Sequence, residues 1–175
     1  MREFVEHHAA RSPTYIAANN SRSFGRAEVD ELVQRARAAG VARVLLHRSI
    51  DERLHSMLVA QCSRTYWQPK RHKTKAKSFH IVRGSMLVAM FDELGNVTYF
   101  EVLECEDRLS VLVPEGMFHT NIALTEVAVH HEVIQGPFAP DEADRELASF
   151  APSGSDSVDS AAFVTELLAR TVDKP

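Results

Sequence analysis

The chain reads as one mainly β domain, a β-sandwich or small barrel preceded by a helix and followed by a shorter one. Three observations predict this. From Val44 to Ile134 the segments are short, rich in β-branched and aromatic residues, and broken by turn signals at Gly84, Leu94-Gly95-Asn96 and Pro114-Glu115-Gly116. Upstream, Val29, Leu32, Val33 and Ala36 recur at helical spacing. A chain of 175 residues, 45% apolar and 25% charged, has the size and composition to bury one core.

Residues 1–43 are expected to form an extension and a helix packed on the barrel. Met1 to Ser23 is too long for a simple cap and would either cross to a partner subunit or close the barrel. The helix is predicted from Phe24 to Ala39, with Ser23 able to cap its start and Gly40 suited to the left-handed turn that ends it. Residues 44–138 are the predicted barrel. Residues 139–175 are expected to be a polar tail, in which Pro152-Ser153-Gly154-Ser155-Asp156-Ser157 reads as a flexible linker. After it, Phe163, Val164, Leu167 and Leu168 line one face of a short helix.

A formal net charge of −4 argues against a general nucleic-acid binder. The longest apolar runs, such as Met86 to Phe91, are too short to span a bilayer, and Met-Arg-Glu-Phe-Val-Glu-His-His lacks a signal peptide's apolar stretch, so no membrane role and a cytoplasmic location are expected. Cys62 and Cys105 lack zinc-site spacing and are expected as free thiols.

The most informative pattern begins at Pro69. Lys70 and His72 stand one residue apart, Lys77 follows, and after six more residues comes Gly84. Pro114-Glu115-Gly116-Met117-Phe118-His119 follows. Between the two lies a run from Met86 through Phe91-Asp92 to Gly95-Asn96, and after them His131-Glu132-Val133-Ile134-Gln135-Gly136-Pro137-Phe138. Leu46-His47 and the segment Leu54 to Ala60 precede them. From about Tyr15 to Pro152 this order resembles the WbuC family of cupin-fold metalloproteins.

That resemblance implies a cupin-type double-stranded β-helix, a jelly-roll barrel, as the fold class. It also implies a homodimer and a link to surface-polysaccharide, including lipopolysaccharide, biosynthesis. It further implies that positions 70, 72, 77 and 119 are those where the family places metal ligands. Two of the four are lysines here.

Strand alternation puts Lys70 and His72 on one face and Arg71 on the other. Lys77, Phe79 and Ile81 likewise share a face, which their apolar members turn inward, leaving His80 outside. His119 would enter the same mouth. The expected ligand pocket is therefore Lys70, His72, Lys77, His119, Tyr66 and Phe79, with Trp67 and Phe118 as further aromatic partners for a ring. The alternative for Lys70 and Lys77 is a solvated basic strip, which is the expected state of Lys73 and Lys75.

A tight transition-metal site needs three or four lone-pair donors, and His72 with His119 supplies two. Two ammonium groups about 4 Å apart also repel by roughly 4 kcal/mol at an effective dielectric near 20, and a divalent ion would feel more. No cofactor is therefore expected. A divalent transition metal on His72 and His119 remains the alternative, completed by His47, His55, His130, His131 or Glu132. Only one of the adjacent His130 and His131 can face inward, where a core histidine hydrogen-bonded to a neighbour is expected.

Three functional readings follow. The first is a small-molecule binding protein with a degenerate metal site that takes an anionic or sugar-derived ligand. The second is a cupin enzyme, either metal-dependent through substitute ligands or a metal-free sugar-nucleotide isomerase or epimerase; no catalytic residue is assigned, and Glu132, Glu101 and Asp92 are the carboxylates available to orient His72 or His119. The third is a structural or regulatory dimer with a plugged barrel.

Overall fold

The structure, a computed structural model, describes residues 4–6, 13–17, 23–63, 65–138, 143–154 and 158–171. Strands β1 (Phe4–Glu6) and β2 (Thr14–Ala17) precede helix α1 (Arg26–Ala39). Then come β3 (Val41–Leu45), β4 (Leu54–Cys62), β5 (Lys70–His72), β6 (Lys77–Arg83), β7 (Ser85–Phe91) and β8 (Val97–Glu104). Strands β9 (Ser110–Val113), β10 (Phe118–Ala123), β11 (Val127–Gln135) and β12 (Arg145–Leu147) lead to helix α2 (Val158–Thr171).

The strands form two facing sheets, ordered β1-β2-β3-β4-β11-β6-β9 and β12-β5-β10-β7-β8. The result is the expected jelly-roll sandwich, and its two sheets do not close into one barrel. Part of the amino-terminal segment thus extends the first sheet, with β2 running parallel to β3. Ser155 to Ser157 of the expected linker lie outside the described residues.

Each helix covers the outer face of one sheet. On the first sheet, Val29, Leu32, Val33 and Ala36 of α1 meet Ala42, Val44, Leu58, Ala60, Cys62, Val127 and Val129. The helix starts two residues later than its apolar spacing suggests, because Glu28 reaches back to accept the Gly25 N–H at 2.7 Å and makes Gly25 the cap in place of Ser23. Gly40 ends it at φ 86°. On the second sheet, Leu167 packs with Leu87, Ala89, Phe91, Phe118, Ile122 and Ala148, flanked by Phe163, Val164 and Leu168. Strand β7 is therefore covered on both faces, which explains its unbroken apolar run, whereas β6 alternates.

Between the sheets one end is apolar: Phe79, Ile81, Met86, Val88, Met90, Leu103, Val111, Val113, Ala123 and Ala128. The other end is polar. No helix among the described residues is long and apolar enough to cross a membrane.

Candidate functional site

Register decides what faces the polar end. In antiparallel sheets directly opposed residues point to the same side, and Lys77, Phe79 and Ile81 stand opposite Ile134, Glu132 and His130. His130, Glu132 and Ile134 in turn oppose Val59, Met57 and His55, and Val59 opposes Arg43. One inner face therefore carries Arg43, Lys77, Phe79, His130 and Glu132. Across the gap, Lys70 opposes His119 and Leu147, while His72 opposes Arg145. The four positions that resemble a metal motif do come together, as two lysines and two histidines projecting from β5, β6 and β10.

Lys77 is buried, at 4% exposure, and its Nζ donates to Glu132 Oε1 at 2.9 Å. Burial alone would raise the Glu132 carboxyl, but the ammoniums of Lys77 and Lys70 more than reverse this, so it stays ionised. Lys70 is half-buried and its Nζ has neither a salt bridge nor a hydrogen bond among the described residues; it lies 5.5 Å from the Trp67 ring centre. Burial, then the charge of Lys77, brings its pKa down to about 7, with Arg145 and Arg43 adding to the effect and Glu132 opposing it. The Arg43 guanidinium stands 5.8 Å from the centre of the same Trp67 ring, and its Nε has no hydrogen-bond partner among the described residues.

The site histidines His72, His119 and His130 are neutral. Burial and the nearby Lys77 lower His72 to about 4 and push His119 well below its ordinary value. His119 Nδ1 lies 2.9 Å from the Met117 carbonyl oxygen, which can only accept, so Nδ1 carries the proton. Its Nε2 is then a buried lone pair without a partner among the described residues. His72 Nδ1 likewise donates to Asp144 Oδ2 at 3.1 Å, which leaves its Nε2 as an acceptor. His130, the inward member of its pair, is 1% exposed, and burial lowers it to about 4. Its Nδ1 has no partner among the described residues and its Nε2 stands 4.0 Å from Glu132, so the expected hydrogen bond to a neighbour is not made among them. His131 faces outward to Ser56, and His80 is exposed as expected.

Several expectations need correction. Tyr66 lies outside the polar cavity: its hydroxyl donates to the Pro152 carbonyl at 2.9 Å and its ring packs edge-on to Phe163 of α2. Phe118 also faces outward, beneath the Arg71 guanidinium at 4.3 Å. Phe79 does stand inside, between His130 at 5.3 Å and His119 at 6.2 Å. Trp67 is the aromatic wall. Its Nε1 donates to Gln61, which also accepts from Asn121. Lys75 is no solvated strip residue, because its Nζ pairs with Asp144 at 3.1 Å and lies 4.6 Å from the Phe138 ring. The carboxylate that orients His72 is Asp144, not Glu132, Glu101 or Asp92. Thr74 fixes Asp144 through both its backbone N–H and its hydroxyl.

Arg43, Asp144 and Arg145 were the residues that sequence reasoning missed. Nothing in their own segments marks them, since they enter the site through pairing of β3 with β4 and of β12 with β5. Among the described residues no three His, Cys, Asp or Glu side chains converge on a metal position. Glu132 is engaged by Lys77 and Asp144 by His72 and Lys75.

A model for a domain of unknown function, DUF6016, matches residues 24–103. No curated protein matches the chain. Among solved structures, CapF bound to the inhibitor 3-isopropenyl-tropolone aligns with a TM-score of 0.54 at 15% identity, covering 62% of this chain and 31% of CapF. Capsular polysaccharide assembling protein CapF from Staphylococcus aureus aligns at 0.53 and 15%, covering 62% and 32%. The chain thus spans about a third of CapF's length. These likenesses concern the fold, and the fold is the cupin jelly roll.

Proposed function

We propose that the protein binds a small anionic ligand, of sugar-derived type, at the polar end of the inter-sheet space. The observation that carries this reading is that Lys70 and Arg43 hold positive charge against one indole ring without a salt-bridge partner among the described residues, while the nearby Glu132 is already taken by Lys77. A ligand carboxylate or phosphate would supply the missing charge. Trp67 offers a face to a sugar ring, and the lone pairs of His72 and His119 accept from hydroxyls. The WbuC-like motifs, and a fold shared with a capsular polysaccharide assembling protein, support a sugar derivative and a link to surface-polysaccharide biosynthesis. Calorimetric titration of glucose 1-phosphate, glucuronate, UDP-glucose and neutral glucose tests it. At least one anionic probe should bind and weaken about tenfold or more in Lys70→Met; binding of neutral glucose alone, or of no probe, refutes the reading.

A second reading is favoured by the His72–Asp144 pair. Asp144 holds the imidazole with Nε2 unprotonated, as a general base requires. In a metal-free isomerase or epimerase, Nε2 would take the proton next to a sugar carbonyl, Lys70 would face the resulting enolate, and proton return would complete the exchange. Incubation with a keto-sugar nucleotide in D2O should then exchange that C–H in the wild type and not in His72→Asn. Equal exchange in both rejects it.

A further inference from the structure

The outer face of the first sheet carries two histidines that the polar cavity does not use. His131 and His80 stand directly opposite each other in the antiparallel register of β11 and β6, a placement that brings Cβ atoms to about 5 Å. Alternation turns both away from the cavity that their neighbours His130, Glu132 and Phe79 face. The apolar contacts of helix α1 end on β3, β4 and the start of β11, which leaves His80 exposed and His131 half-buried. Their ring centres are 6.0 Å apart, with the ring planes tilted by 36°.

The two rings are held alike. His131 Nε2 lies 2.7 Å from Ser56 Oγ, and His80 Nε2 lies 3.1 Å from Ser78 Oγ. A serine hydroxyl can accept, so each Nε2 can carry the ring proton and leave Nδ1 as the lone pair. Neither Nδ1 has a hydrogen-bond partner among the described residues. At metal centres a ligating imidazole commonly has its other nitrogen held by a hydrogen bond, which fixes its tautomer and orientation. The separation fits as well. With a metal–nitrogen length near 2.1 Å, two ring centres that share one ion lie roughly 5 Å apart at a tetrahedral angle and roughly 6 Å apart at a wider one. A swing of about 1 Å by the exposed His80 ring spans the difference.

We propose that His80 and His131 form a bidentate site for a divalent transition ion of the zinc and copper class, with one Nδ1 from each strand and water on the remaining positions. The site is separate from positions 70, 72, 77 and 119, whose side chains project into the cavity, and it does not depend on the ligand reading. Imidazole nitrogen suits these ions, with Cu2+ held more tightly than Zn2+. An ion there ties β11 to β6 on the face opposite the cavity.

The full chain, without a histidine tag, is titrated with Zn2+ by calorimetry near pH 7.5. His80→Asn, His131→Asn and His72→Asn are titrated alongside, with a His7→Gln/His8→Gln double variant that controls for the adjacent histidines near the start of the chain. Wild type and the double variant should each take up one Zn2+ at this site with a Kd of about 10 μM, and His80→Asn or His131→Asn should bind about tenfold or more weakly. Bound Cu2+ should show two imidazole nitrogens by pulsed electron paramagnetic resonance in the wild type and one in His80→Asn. If His131→Asn does not fold, the comparison of wild type with the exposed-site variant His80→Asn decides. Equal Zn2+ affinity in wild type and His80→Asn, or a loss confined to the double variant or to His72→Asn, overturns the proposal.

Discussion

The Lys77–Glu132 pair predicts an asymmetry between its two halves. At 2.9 Å the attraction is about 6 kcal/mol for an effective dielectric of 20, before desolvation is subtracted. Glu132→Gln keeps the shape but leaves Lys77 buried without its counter-charge, next to Lys70. The loss should be roughly 3–5 kcal/mol, the range for removing one partner of a buried pair. Lys77→Met leaves Glu132 with Lys70 as a remaining counter-charge and relieves Lys70 of its strongest repulsion, so the cost should be about half. For a domain of this size Glu132→Gln should lower Tm by roughly 6–20 °C. Urea and thermal unfolding near pH 7.5 in buffer without multivalent anions measure both variants. Glu132 is held ionised below its ordinary pKa, so its contribution is complete above the usual carboxylate range and declines as the pH falls beneath it; the gap between wild type and Glu132→Gln should narrow in acid. A Lys77→Met variant as damaged as Glu132→Gln, or a Glu132→Gln variant within about 1 kcal/mol of wild type, would refute the charge balance described above.

Other outcomes follow from the same geometry. Lys70 has a folded-state pKa of about 7 against 10.5 when unfolded, so between these values the unfolded chain holds a proton that the native protein has released, and native stability should rise with pH across that window. Lys70→Met should flatten this rise in pH-dependent unfolding while stabilising the protein at pH 6; a slope unchanged by the substitution contradicts the assignment. Anion affinity should run the other way, falling as pH rises through about 7, and a pH series of glucose 1-phosphate titrations would expose the opposite trend. Tyr66→Phe should lose about 1 kcal/mol, the worth of its bond to Pro152, without altering the affinity of any anionic probe; a weakened affinity would return Tyr66 to the pocket. In Gly84→Ala the new Cβ would collide with Thr125 Oγ1 and meet the Val127 carbonyl at 2.8 Å with φ at +74°, so a loss of roughly 2–4 kcal/mol is expected in urea unfolding. A near-neutral result there would mean the β6–β7 turn can open.

What the sequence made legible was local. Alternation along β6 sends Lys77 and Phe79 inward and His80 outward because side chains on a strand must alternate. Gly84, Gly95 and Gly116 all take positive φ at the turns marked by their neighbours. Helix α1 is readable from its apolar stripe, and only its first turn shifts, because a glutamate three residues beyond Gly25 makes the better cap. The site was half legible for the same reason. Lys70, His72, Lys77 and His119 come from the resemblance to the cupin motifs, whereas Asp144 and Arg145, just before and at the start of β12, lie more than 70 residues from β5 in sequence, inside a segment whose polar composition resembles a tail. Tyr66 and Trp67 are neighbours that face opposite sides of the second sheet, and no periodicity exists in so short a segment to tell them apart.

Trp67 is the chain's single tryptophan. Its ring centre lies within 6 Å of both the Lys70 ammonium and the Arg43 guanidinium, so its emission responds to the electric field of the polar cavity. Deprotonation of Lys70, arrival of an anion and loss of either cation each alter that field, and should appear as separate shifts in wavelength and lifetime. The fold thus carries its own optical electrode, readable at micromolar concentration without a label.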